Sequence, residues 1–315
     1  MEKTAKVIPD QVLNYKISDA EGYFSSKQAI IYALGTAPFH LIPKYLGIGF
    51  SRDPKDEDDL RFTYELKDDF VVFPTVGTTF LTLDKAFDPM AECPGIPKFH
   101  PMAVLHGEHK LEVLKPVQAN VKLVTTRRIA DIADKGKGAF VTFEFITYEV
   151  DDSGIRTPLL INTLGLFIRG LGGFGHKGKA LITIPKPPER KPDNTMDEKV
   201  LPNQALFYRL AGDDNPLHAD PKMAKIGGFD RPILHGLCFY GICNKLIMKT
   251  YCGGNPNGIR TSQARFTSSI FPGETLQVST WKEGNKVIYS AKTVERGKEV
   301  IIGEVELNET PASKL

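Results

Sequence analysis

Between Gly236 and Tyr251 the chain carries more apolar surface than one flank of a helix can use. Leu237, Tyr240, Cys243, Ile247 and Tyr251 recur at helical spacing, and Phe239, Ile242 and Leu246 widen the stripe around the cylinder. A helix of this kind has to be wrapped by other structure. The residues after it supply the wrapping. Residues 275–281, 286–294 and 299–307 are rich in strand-forming types, and Glu283-Gly284-Asn285 and Arg296-Gly297-Lys298 between them are hairpin turns. One long helix followed by three antiparallel strands predicts a sheet curled around a helix.

The first half of the chain carries a related pattern. Residues 139–150 and 157–169 read as strands joined at Asp151-Asp152-Ser153-Gly154. Short fragments also recur in the same order in both halves. Tyr32-Ala-Leu-Gly35 matches Tyr208-Arg-Leu-Ala-Gly212, Leu105-His106-Gly107 matches Leu234-His235-Gly236, and Leu114-Lys-Pro116 matches Ile270-Phe-Pro-Gly273. Shared order argues for a duplicated unit. The predicted fold is therefore α+β, a double hot-dog of two antiparallel sheets, each curled around a helix, with the helix reduced or altered in the first half. Pro185, Pro187, Pro188 and Pro192 keep residues 184–203 from forming a helix, so this stretch reads as an extended linker. The predicted units are an N-terminal domain at 1–183, the linker at 184–203 and a C-terminal domain at 204–312, with a terminal tripeptide at 313–315.

Composition excludes several classes. A net charge of +2 gives no case for nucleic acid. Cys93, Cys238, Cys243 and Cys252 fit neither a zinc pattern nor a CxxC pair. No apolar run spans a bilayer, and the N-terminus has no signal-peptide character. Ser313-Lys314-Leu315 has the form of an address read by the peroxisomal import receptor, so a peroxisomal location is expected.

The chemistry concentrates in Gly212-Asp213-Asp214-Asn215-Pro216-Leu217-His218. Pro216 pushes Asn215 out of the helical region, and Asp-Asn-Pro is turn chemistry. Asp213 and His218 then flank a bend, and their side chains are free to converge on one water. Their unperturbed pKa values lie near 3.9 and 6.5. His235-Gly236 opens the long helix, whose N-terminus offers free N–H groups and the positive end of a dipole. Glycine allows a ligand close to the backbone, so the Gly236 N–H is the candidate oxyanion donor.

The run Tyr208-Arg-Leu-Ala-Gly-Asp-Asp-Asn-Pro-Leu-His218, followed by Phe229-Asp-Arg-Pro-Ile-Leu-His-Gly-Leu-Cys238, resembles the signature of the 2-enoyl-CoA hydratase 2 (MaoC-like) family. The likeness extends through Ala264-Arg-Phe266 and Phe271-Pro-Gly273. In the first half it covers Ile31-Tyr-Ala-Leu-Gly35, Asp59-Leu-Arg-Phe-Thr-Tyr-Glu65, Val104-Leu-His-Gly-Glu108 and Asp134-Lys-Gly136. The resemblance implies addition of water to trans-2-enoyl-CoA to give (3R)-3-hydroxyacyl-CoA in peroxisomal β-oxidation, without cofactor or metal, by a homodimer. It implies that Asp213, Asn215 and His218 are catalytic and that Gly236 is the oxyanion glycine. Asp214, Pro216, Leu217 and Phe266 are expected at the substrate, with His106, Gly107 and Lys135 on the CoA thioester. Glu65 matches a glutamate implicated in activity. After Gly35 come Thr36-Ala-Pro-Phe-His40, with no acidic residue where Asp213 sits, so one active site per chain is expected.

Plainer readings compete at several positions. Lys135 and Lys137 suit a solvated hairpin turn as well as CoA phosphates. Phe266 suits a core, and His235 suits a role in holding the loop. Gly170-Leu-Gly172-Gly-Phe-Gly175 matches GxGxxG and follows a strand, but no helix follows it, so it reads as a flexible glycine loop without a dinucleotide. Rival functions are a hot-dog thioesterase, in which water attacks the carbonyl, and a non-catalytic acyl-CoA-binding module.

Overall fold

The computed structural model describes residues 6–34, 48–51, 55–80 and 89–308. Residues 35–40, where the missing first-half acid is expected, and the tripeptide 313–315 lie outside the described residues. Ten strands form a single antiparallel sheet. They are β1 (Ala20–Phe24), β2 (Val104–Val113), β3 (Val121–Asp134), β4 (Gly138–Val150), β5 (Arg156–Arg169), β6 (Asn194–Lys199), β7 (Ile259–Phe266), β8 (Thr275–Glu283), β9 (Lys286–Thr293) and β10 (Glu299–Leu307). Their order across the sheet is β1-β3-β4-β5-β2-β7-β10-β9-β8-β6. Taken from its outer edge inward, the first half runs β1-β3-β4-β5-β2 and the second β6-β8-β9-β10-β7. The two sequences of positions are the same, so the sheet repeats about an axis between β2 and β7.

That junction turns the two expected sheets into one. β2 and β7 pair from Glu108↔Arg265 to Glu112↔Thr261. Arg265 Nη2 lies 2.6 Å from Glu108 Oε1, which fixes the register with an opposite-charge cross-strand pair. Both free edges carry short strands, of 5 and 6 residues, which limits edge-to-edge association.

The long helix runs from Gly236 to Tyr251, as its spacing predicts, and every residue from Leu237 to Lys245 is buried. Its own sheet covers one side. Tyr32, Ile48, Phe50 and Phe73 of the first half cover another, so one core cluster spans both halves. Gly241 makes this approach possible, since a Cβ there would stand 2.6 Å from both Ile48 Cγ2 and Tyr32 Oη. Among the described residues the longest first-half helix between β1 and β2 is Ser26–Leu34, far shorter than the long helix of the second half.

Three expectations need correction. Residues 184–203 are not wholly linker, because β6 lies within them and pairs along β8 from Asn194↔Thr280 to Lys199↔Thr275. The fragment match of His106-Gly107 with His235-Gly236 is not a structural equivalence. His106 lies in β2, whose counterpart is β7, whereas His235 caps the long helix. Tyr32 and Tyr208 do correspond, each on the helix after an edge strand, and their rings meet at 6.0 Å. Finally, the glycine loop is pinned. Asp134 Oδ1 accepts the N–H groups of Gly136 (2.8 Å) and Gly173 (3.1 Å), and Oδ2 accepts that of Gly175 (2.6 Å). These bonds hold the Asp134 carboxyl below its usual range.

Candidate active site

The loop before the long helix is folded by its own side chains. Gly212 ends a short turn at φ 122°, a conformation that suits glycine. Asp213 Oδ1 then accepts the Asn215 N–H at 3.2 Å, and Asn215 Oδ1 accepts the Leu217 N–H at 3.0 Å. Pro216 opens a 3-10 turn through His218, where its missing N–H costs nothing. These turns bring Asp213 and His218 together as expected. One polar side-chain atom of each of Asp213, His218 and His235 lies within 4.8 Å of the other two.

Backbone carbonyls fix both imidazole tautomers. A carbonyl only accepts, so His218 donates its Nδ1–H to Ile233 O at 2.9 Å, which leaves Nε2 as the bare, basic nitrogen. His235 in turn donates its Nε2–H to the Asp213 carbonyl at 3.2 Å. It therefore holds the Asp213–His218 loop in place, as the sequence suggested. The two rings stack with centroids 3.7 Å apart. The trio also supplies the donor set of a metal site.

These residues line a cavity of about 420 Å³, within the usual range of roughly 300–1,000 Å³ for small-molecule sites. Asp213, Asn215, His218, Gly236, Leu217 and Phe266 face it from the second half, and His106 and Gly107 from β2. Gly236 is the first residue of the long helix, so its N–H is among those without an intrahelical acceptor. A Cβ at that position would press on the Phe266 ring at 3.3 Å. Phe266 is thus a cavity wall, with its ring 5.0 Å from that of His106 and 5.5 Å from that of Phe239.

Four expected contacts lie outside the cavity. Asp214 points outward, 69% exposed, and pairs with Arg209 at 3.2 Å. Pro216 is exposed because its role is to start the turn. Glu65 lies exposed in a turn region of the first half. Lys135 is exposed, with its ammonium 6.0 Å from the Phe140 ring. Phe167, Phe229 and Thr267-Ser268-Ser269 line the cavity without having been expected there. Phe229 stands within the motif and was open to recognition, whereas Phe167 is one of many apolar residues of β5.

Residues 40–170 match the model of the MFE-2 hydratase 2 N-terminal domain, and residues 183–303 match the MaoC like domain. Over 309 residues the chain is 36% identical to the peroxisomal enoyl-CoA hydratase 2 of Arabidopsis thaliana, covering 95% of this chain and 94% of that protein. The chain belongs to the MaoC-like hydratase 2 family. The crystal structure of a MaoC-like dehydratase from Phytophthora capsici superposes with a TM-score of 0.83 and 33% identity, covering 98% of this chain and 100% of that one. A Mycobacterium tuberculosis protein described as having a double hotdog fold aligns at TM-score 0.51 and 10% identity over 93% of this chain and 97% of its own, a likeness of fold alone.

In this hydratase 2 family member the histidines around the cavity are held neutral. Burial pulls His218 down to about 4, against the raising effect of its bond to Ile233. Burial, then the neighbouring His218, holds His235 well below the usual imidazole range. His106 falls to about 3 and His109 to about 4, both chiefly by burial. His218 therefore stays a competent base well below the normal imidazole range. The acid limb of kcat/KM per folded molecule is expected at about pH 4 rather than 6.5. Stability behaves differently. The unfolded chain takes up protons near pH 6.5 that the folded chain refuses until about pH 4. Stability is therefore complete above 6.5 and falls through that window, by up to about 1.4 kcal/mol per pH unit for each buried histidine. Urea titrations at pH 7.5, 5.5 and 4.5, with initial rates taken before unfolding, separate the two effects.

Proposed function

We propose that this chain adds water reversibly across the 2,3 double bond of trans-2-enoyl-CoA, giving (3R)-3-hydroxyacyl-CoA in peroxisomal fatty-acid β-oxidation. The observation that carries this reading is the convergence of Asp213 and His218 on one cavity wall beside the Gly236 end of the long helix. A water held between carboxylate and imidazole gives a proton to His218 Nε2 as its oxygen bonds to C3. The electron pair of the double bond moves onto the thioester as an enolate, whose oxygen is met by the Gly236 N–H and the helix dipole. The proton then passes to C2. Asp213 holds and orients the water, so hydroxyl and proton arrive from one side, and the face of C3 turned to that water sets the 3R configuration. One water is consumed and nothing is oxidised or reduced, so the reaction balances without a redox cofactor.

The family of the chain and the names of its relatives support both the reaction and the peroxisome. The same reading has Ser313-Lys314-Leu315 bound by the import receptor and two copies forming a homodimer. The enzyme should convert trans-2-decenoyl-CoA to a product oxidised by a dehydrogenase specific for (3R)-hydroxyacyl-CoA and not by the 3S-specific enzyme. Release of free thiol from a saturated acyl-CoA, without hydration of the enoyl-CoA, would identify a thioesterase instead.

A further inference from the structure

Behind the cavity wall opposite the catalytic loop lies a chain of polar groups that the reaction above does not use. It starts at the Gly77 carbonyl and ends at His106. Asn162 is fully buried and donates its Nδ2–H to Gly77 O at 3.2 Å. That carbonyl only accepts, so it fixes which end of the amide is which and turns Oδ1 toward His109. His109, 2% exposed, lies with Nε2 2.9 Å from Asn162 Oδ1 and must donate there. Burial keeps His109 neutral, so its Nδ1 is bare. That bare nitrogen faces His106 Nε2 at 3.4 Å, and the Glu108 carbonyl faces the same His106 nitrogen at 3.1 Å. Both neighbours accept, so His106 Nε2 carries the hydrogen. His106 is itself neutral, so its Nδ1 is an acceptor on a ring that lines the cavity.

We propose that Asn162 is a positioning residue: by holding His109 as an acceptor it leaves only acceptors beside His106 Nε2 and so, with the Glu108 carbonyl, locks His106 as the Nε2–H tautomer, whose Nδ1 accepts an amide N–H from the pantetheine arm of the thioester. This rests on the hydratase reading, because the arm next to a CoA thioester sulfur carries amide N–H donors and the thioester itself carries none. The relay would thus select for the carrier arm rather than the acyl group. Four elements hold it: β2 through His106 and His109, β5 through Asn162, the Pro74–Thr78 turn through Gly77, and the long helix, whose Tyr240 ring lies 5.7 Å from His109.

The test uses the full-length protein and two small substrates, the trans-2-butenoyl thioesters of N-acetylcysteamine and of its N-methylated amide. The wild-type KM should be about tenfold lower for the ester that keeps its N–H, the usual effect of one buried hydrogen bond. Asn162→Leu frees His109 to donate from Nδ1 to His106 and should weaken this preference by raising KM for the N–H ester, with the change in KM rather than kcat, whereas His109→Phe leaves the Glu108 carbonyl as acceptor and should keep it. Nitrogen-15 spectra of histidine-labelled wild-type protein should show His106 protonated on Nε2 alone, and Asn162→Leu should give a tautomer mixture. The wild-type spectrum and the wild-type preference decide the matter even where a variant does not fold. A wild-type enzyme that hydrates trans-2-butenoyl-CoA but carries the His106 proton on Nδ1, or treats both esters alike, overturns the relay alone. Absence of hydration of trans-2-butenoyl-CoA overturns the hydratase reading itself, and with it the assigned ligand.

Discussion

His218→Gln is expected to lower kcat by roughly 10²–10⁴-fold, the range for loss of a positioned general base, while the protein remains folded. Glutamine is the better probe than alanine because its amide N–H is able to replace the Nδ1–H donated to the Ile233 carbonyl. Alanine would leave that carbonyl unsatisfied and remove the ring stacked on His235. His218→Ala should be at least as inactive, but part of its effect would be structural. Asp213→Asn is the companion variant. Its amide oxygen is able to keep the bond to the Asn215 N–H, so the loop should hold its shape while the carboxylate's charge is lost. Because water activation needs both groups at once, the double variant should be scarcely slower than either single variant, as expected for residues acting as a unit. The measurement is single-turnover hydration, with a near-ultraviolet dichroism spectrum as the check on packing. A rate within tenfold of wild type for either single variant would remove that residue from the mechanism.

The parts of the molecule that could be read from sequence are those whose physics is local. The long helix was legible because its apolar residues follow one period, and β8 to β10 because strand-forming runs alternate with glycine turns. The bend from Asp213 to His218 was legible because a proline and three turn-forming side chains dictate a bend wherever they occur. β2 was not legible. It sits near the centre of the sheet, yet reads Val-Leu-His-Gly-Glu-His-Lys-Leu-Glu-Val. Its polar residues are tolerated because distant partners satisfy them, Asn162 for His109 and Arg265 for Glu108. Nothing within ten residues announces those partners. β6 was hidden for a related reason. Prolines precede it, and an edge strand needs hydrogen bonds on one side only. Glu65 was expected at the ligand from resemblance alone and Lys135 from resemblance and its charge, and whether a turn reaches a cavity is decided by tertiary packing that their neighbours in sequence do not encode.

The second large effect should appear in stability. Lys245 lies on the long helix with its side chain 3% exposed, and its Nζ is 3.0 Å from the Glu198 carboxylate, itself 7% exposed on β6. The same ammonium donates to the Gly49 carbonyl at 3.0 Å and lies 5.9 Å from the Phe50 ring centroid. One side chain therefore joins the helix, the outer edge strand of the second half and the first half. Lys245→Met removes the cation while Glu198 stays buried, and should cost about 3–5 kcal/mol, as does breaking other buried ion pairs. Against the 5–15 kcal/mol typical of a whole domain, that loss should shift the urea midpoint strongly. Glu198→Leu alone should cost a similar amount, because the ammonium would then be buried without its carboxylate. The double variant Lys245→Met/Glu198→Leu distinguishes the worth of the pair from the cost of breaking it. Burying both ions carries a desolvation penalty that their attraction only partly offsets, so the double variant should recover most of the stability lost by either single one. If instead the two losses add, the two ions are not coupled, and each side chain holds the fold through its other contacts.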